Sequence, residues 1–241
     1  MPGVQYFSGQ VLDMAEFTRL AQAHGCRVGF DLAHAVGNVP LKLHDWGCDF
    51  AVWCSYKYLN SGPGAVAGCF VHQRHSGSRG LPRFAGWWGH DKQTRFQMGP
   101  EFIPSPGADA WQLSNPPIMA LAPVRVSLDI FHAAGMDRLR AKSMRLTAYM
   151  KALLEQLLSS QINILTPSDP AQRGCQLSIQ VDQGRESGRR VFEELERRGV
   201  ICDWREPDVI RVAPTPLYNG FYDVYRFVNT LKSIIEGDQH G

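Results

Sequence analysis

The sequence predicts an α/β fold with a mainly parallel sheet, followed by a smaller α+β C-terminal domain. Three observations carry this. Short apolar runs at Arg27 to Asp31, Phe50 to Cys54 and Ala65 to Val71 are separated by helical or irregular segments, the β-α-β rhythm of a parallel sheet. Two of those runs end in groups suited to chemistry, Asp31 and the Ser55-Tyr56-Lys57 triplet. From Gln161 onward the order changes to paired strands alternating with helices.

The elements follow from local chemistry. Asp13 is a good N-cap for a helix whose Met14, Phe17, Leu20 and Ala21 share one face, and Gly25 is a good stop. Strand 27–31 comes next, then a short helical or irregular stretch through His44-Asp45-Trp46-Gly47, then strand 50–54, rich in aromatic and β-favouring residues. Asn60, Ser61, Gly62, Pro63 and Gly64 turn the chain, and residues 65–71 form a further strand. Residues 73–117 are rich in Gly and Pro, a long irregular stretch of the kind that carries function. Helical periodicity returns over 118–131 and 136–158, with Leu139, Leu146, Leu153 and Leu157 on one side. Beyond it the pattern predicts strands at 162–165 and 176–181, a helix at 188–198, strands at 200–203 and 209–212, and a helix at 222–236. The expected domains are 1–135, a connecting helix over 136–160, and 161–241.

At 241 residues, 44% hydrophobic and 20% charged, the chain has ample material for a core and the balance of a soluble globular protein. A net charge of +2 argues against a polyanionic partner such as nucleic acid. The mixed-sign run RRVFEELERRG reads as a solvated helix face. No apolar run approaches the length of a membrane span, and the first ten residues lack a signal-peptide layout, so a cytoplasmic location is expected. Six cysteines without C-x-x-C spacing read as buried free thiols of a reducing compartment. His72 and His75 form an H-x-x-H at a strand end, poor scaffolding for a metal, and are expected to be surface residues; no metal site is expected.

Lys57 leaves a strand between two tyrosines, with apolar sequence upstream. Desolvation of such an amine favours the neutral nucleophile that a Schiff base requires. Asp31 ends the preceding strand 26 residues earlier, room for one crossover back to the same sheet edge. An amine and an acid at neighbouring strand ends suit pyridoxal phosphate: one forms the covalent link, the other keeps the ring nitrogen protonated.

The stretch FDLAHAVGNVPLKLHDWGCDFAVWCSYKYLN resembles the aspartate-to-lysine core of kynureninases, enzymes of the class-V aminotransferase type. The resemblance continues through GWWGH (86–90), TRF (94–96), LSNPP (113–117), RGCQLSI (173–179) and IRVAPTPLYNGFYDVYRF (210–227). It implies fold type I of the pyridoxal-phosphate-dependent transferases, with an incomplete large domain. It also implies roles: Lys57 as the lysine that carries the cofactor and then moves the Cα proton, Asp31 as partner of the pyridinium, and His34 as a cofactor contact. Tyr56 would donate to the phosphate and is a candidate base for hydration of the γ-carbonyl. Trp87 and Asn115 would reach the phosphate across a homodimer interface, Trp88 would pack, and Arg211 would grip the substrate α-carboxylate.

The implied reaction is hydrolysis of L-kynurenine or 3-hydroxykynurenine to an anthranilate and L-alanine. Family members carry a further stretch ahead of the point matching Met1, including the phosphate loop and a ring that stacks on the cofactor. The chain therefore reads as a C-terminal portion, expected to be weakly active or inactive alone. Two alternatives stand beside this reading. One is a cysteine desulfurase-like lyase, although those enzymes usually place His where Tyr56 stands, and residues 73–117 contain no cysteine to carry a persulfide. The other is a non-catalytic interaction polypeptide.

Overall fold

The computed structural model describes residues 1–78, 80–182 and 184–238. The chain divides into two compact units, the first comprising residues 1–3, 13–36 and 41–130, the second 4–12, 37–40 and 131–241.

The first unit is built on a three-stranded sheet of β1 (Gly29–Asp31), β2 (Phe50–Trp53) and β3 (Gly68–Val71), in that order. β1 and β2 run parallel, with Gly29 opposite Phe50 and Asp31 opposite Val52. β3 returns antiparallel to β2, so the sheet is mixed where a mainly parallel one is expected. The connection, residues 54–67, holds no helix and turns back through Asn60, Gly62 and Gly64, all at positive φ, so the chain returns alongside β2 in the antiparallel sense. Strand alternation buries Phe30 and Ala51 on one face and leaves Phe50 and Val52 about half exposed, at 47% and 48%, on the other. The outer edge of β1 is occupied by the first residues of the chain, where Gly3 N–H donates to Asp31 O and Asp31 N–H to Met1 O, each at 2.9 Å.

Helix α1 (Met14–Ala23) starts on Asp13, whose carboxylate accepts from Glu16 N–H at 2.9 Å, and is followed by Gly25 at φ +75°. It buries Met14 and Thr18, whereas Phe17 and Leu20, expected to share the apolar face, are 41% and 45% exposed. Between β3 and α2 (Ile118–Ala134) the described residues are irregular apart from four short 3-10 turns.

The second unit holds a four-stranded antiparallel sheet of β4 (Ile162–Ile164), β5 (Leu177–Val181), β6 (Asp203–Arg205) and β7 (Val209–Val212), in the order β4-β5-β7-β6. α3 (Met136–Leu158), α4 (Arg185–Arg197) and α5 (Phe221–Asp238) supply its remaining apolar surface. Residues Val224, Phe227, Val228, Leu231, Ile234 and Ile235 recur at helical spacing on α5 and enter one core with Leu146, Met150, Leu154 and Leu158 of α3. α3, expected as a connector, is thus a core helix of this unit. Its buried line runs through Leu154 and Leu158, while Leu153 and Leu157 pack at the margin. β6 lies three residues later than the sequence pattern suggests, because Val200 and Cys202 pack against the core from the turn after α4. No single helix among the described residues is long and apolar enough to cross a membrane.

Candidate functional site

Asp31 and Lys57 open onto one cleft of about 600 Å³ in the first unit, lined also by Ala33, Val52, Trp53, Cys54, Tyr56, Ala67, Gly68 and Cys69. The parallel pairing of β1 with β2 brings this about. Both strands end on the same side of the sheet, the usual place for a ligand in a parallel α/β array.

The turn that presents Lys57 is held from several sides. Ser55, 1% exposed, donates its hydroxyl to Val66 O at 2.7 Å and accepts Ser61 N–H on its carbonyl at 3.0 Å. Asn60 N–H donates to Lys57 O at 2.9 Å, and Asn60 itself sits at φ +58°, a conformation Asn tolerates better than most residues. Leu59 is buried and its carbonyl accepts from the Ser127 hydroxyl on α2. Lys57 itself is half-buried, its Nζ 5.8 Å from the centre of the Tyr56 ring. Tyr56 is 53% exposed, and the Cys54 thiol beside it holds the phenol above its ordinary pKa. Asp31 accepts Ala33 N–H on Oδ1 at 2.8 Å, which orients its carboxylate at the strand end.

Among the other sequence candidates, His34 lies just past Asp31 with its ring edge against Tyr58, centroids 6.1 Å apart, and is not part of the cleft wall. Trp87 (46% exposed) and Asn115 (exposed) belong to the same unit but do not line the cleft. They lie instead on two segments packed together: the Cα of Gly86 faces the Leu113 backbone so closely that a Cβ would fall 2.0 Å from Leu113 O. Arg95 ties the turn that carries Trp87, donating to Trp88 O at 2.7 Å and His90 O at 2.9 Å, with its guanidinium 4.7 Å from the Trp88 ring and 5.5 Å from Trp87. GWWGH, TRF and LSNPP are therefore one local structure. Arg211 belongs to the second unit, where it is 8% exposed, pairs with Asp203 and donates to Tyr6 O at 2.8 Å.

Two sequence expectations need correction. His75 is not a free surface residue: its side chain is 12% exposed and bonds Asp49 at 2.7 Å, while His72 stacks on His44 at 4.7 Å. Asp49, 4% exposed, also accepts from Arg74 at 2.9 Å and from Val28 N–H at 2.7 Å. Burial alone would raise its pKa, but the bonds from Val28, His75 and Arg74 outweigh that and hold the carboxyl well below the usual range. No cluster with metal-binding geometry occurs among the described residues. No disulfide joins the cysteines, but Cys26 and Cys69 are exposed rather than buried. Cys69 stands opposite Val52, itself opposite Asp31, so period-2 alternation puts all three on the cleft side; the antiparallel return of β3, not visible from the sequence, is what aligns them. Cys54 and Cys69 are the cleft residues that sequence reasoning missed.

The family model for the kynureninase C-terminal domain matches residues 139–231, and that for class-V aminotransferases matches residues 3–78. Similar curated proteins include the kynureninase of Xanthomonas euvesicatoria pv. vesicatoria (strain 85-10), 61% identical over 96% of this chain and 55% of that protein. The kynureninase of Stenotrophomonas maltophilia (strain K279a) is 60% identical over the same shares. The chain thus spans about half the length of the curated relatives it matches. Among solved structures, the apo cysteine desulfurase of Thermococcus onnurineus NA1 superposes with a TM-score of 0.78 at 14% identity, covering 98% of this chain and 59% of that one. A cystine C–S lyase in complex with its reaction product cysteine persulfide does so with a TM-score of 0.77 at 20% identity, covering 96% and 59%. The shared fold accounts for the strand-end cleft, and over 96% of its length the chain is similar to kynureninases, whose C-terminal-domain model matches residues 139–231.

Proposed function

We propose that this chain supplies the aspartate-and-lysine part of a pyridoxal-phosphate site in a kynureninase-type hydrolase. The observation that carries the reading is the common cleft of Asp31 and Lys57 at the ends of paired parallel strands. The donor set fits the group: a carboxylate for a ring nitrogen, an amine for an aldehyde, and a phenol for a phosphate. When bound, pyridoxal phosphate supplies a ring that accepts electrons from the substrate carbon skeleton.

Asp31 would keep the ring nitrogen protonated, its orientation set by the Ala33 N–H. Lys57 would carry the cofactor covalently and, once released by substrate, take the proton from Cα. Tyr56 would donate its hydroxyl to the phosphate, a phenol being protonated at neutral pH. His34 would support the cofactor, and Trp87 and Asn115, outside this cleft, would serve the site of a second copy in a homodimer. Arg211 would bind the substrate carboxylate through its planar fork, exchanging its present partners for it. The substrates are L-kynurenine or 3-hydroxykynurenine, the products an anthranilate and L-alanine, in the cytoplasm. Residues 1–135 would form part of the cofactor-binding domain and 161–241 the small domain, with α3 packed into the core of the latter.

Incubation with pyridoxal phosphate, borohydride reduction and peptide mapping test this reading. Label confined to the Trp53–Asn60 peptide is expected; labelling spread over surface lysines would sink it. The fold is shared with desulfurases, and release of alanine from L-cysteine rather than L-kynurenine would establish that second reading instead.

A further inference from the structure

In the second unit, α3 presents Arg140, Ser143 and Thr147 on one face to the loop 167–175. Arg173 from that loop is 2% exposed; its Nε donates to Thr147 Oγ1 at 3.3 Å and its Nη1 to Pro167 O at 3.1 Å and to Ser168 O. Arg140 Nη2 donates to Pro170 O at 2.5 Å. Both guanidinium groups are therefore anchored on the same short stretch of backbone. Neither has an acidic partner within ion-pair distance among the described residues. Asp169, which acts on Arg173 at longer range, turns its carboxylate to Ala171 N–H. Arg140 Nη1 and the hydroxyl of Ser143, a residue with no exposed surface, are sealed from solvent without a hydrogen-bond partner.

A buried and a half-buried cation brought together beside unused donors, with no carboxylate in ion-pair contact and Asp169 acting only at longer range, form an unbalanced arrangement. Burial pushes the Arg140 pKa down; the Cys175 thiol opposes this and the positive charge of Arg173 adds to it. We propose that a small inorganic anion binds here, held by Arg140 Nη1, Ser143 Oγ and the charge of Arg173. It would neutralise the pair and lock α3 to the 167–175 loop.

The full chain is unfolded thermally in sodium bromide and in sodium gluconate at equal ionic strength, with sodium phosphate as a third arm. The midpoint should rise by a few degrees in bromide or phosphate over gluconate, since a ligand of the native state stabilises it by mass action. The larger of the two rises distinguishes a halide from an oxyanion site. Arg140→Gln should lose the rise; if that variant does not fold, Ser143→Ala should show a smaller one. Crystals soaked in bromide should give an anomalous peak beside Arg140 Nη1. Equal midpoints in all three salts, or a water in that position without anomalous signal, overturn the proposal.

Discussion

Asp31 and Lys57, 26 residues apart in sequence, face one cleft because β1 and β2 pair in parallel with Asp31 opposite Val52. Each role can be removed separately. Lys57→Ala should abolish borohydride-trapped label in the Trp53–Asn60 peptide. Asp31→Ala should leave the amine in place and weaken cofactor retention, read as a lower labelled fraction at equal cofactor concentration. Label persisting at that peptide in Lys57→Ala would refute the assignment.

Asp49 joins the start of β1, the start of β2 and the turn after β3 through Val28, Arg74 and His75. Asp49→Asn should destabilise the chain by about 3 kcal/mol, the order expected when one partner of a buried pair is removed. Because its folded pKa is depressed, the wild-type carboxylate contributes its stability in full above the ordinary carboxylate range. That contribution falls away as pH drops through this range toward the folded value. Urea midpoints should therefore decline on acidification in the wild type, and less steeply in Asp49→Asn. Equal slopes would count against the hub.

Gly86 and Leu113 bind GWWGH to LSNPP by close backbone approach. Gly86→Ala should cost about 1–3 kcal/mol by forcing the two segments apart. Tryptophan fluorescence should shift with it, as Trp87 and Trp88 lose their packing around Arg95. An unchanged spectrum and midpoint would show that the segments are not coupled.

Asp13 caps α1 through Glu16 N–H. Asp13→Ala should cost about 1 kcal/mol, with Asp13→Ser largely restoring it, checked by denaturant midpoints.

Phe50 and Val52 expose 47% and 48% of their surface on one face of the first sheet, with Phe50 lying across Gly29. Exposed apolar surface of this kind promotes association. The double variant Phe50→Thr with Val52→Thr should lower light scattering at a given concentration. Undiminished scattering would place the sticky surface elsewhere.

What the sequence by itself determined was set by short-range chemistry. The Asp13 cap, the apolar runs at 50–53 and 209–212 and the α5 stripe read directly as elements, since caps and periodicity act within a few residues. The pairing of Asp31 with Lys57 was legible because strand ends and a crossover length are local facts, and the quoted motifs already implied the family. Tertiary structure alone decided what depends on distant neighbours. β3 reverses direction, which sets Cys69 on the same side of the sheet as Asp31, across Val52; His75 finds Asp49 across 26 residues; and Arg140 meets Arg173 with no acid in ion-pair contact. Charge and register across such separations are settled by packing, which no residue's own neighbours encode.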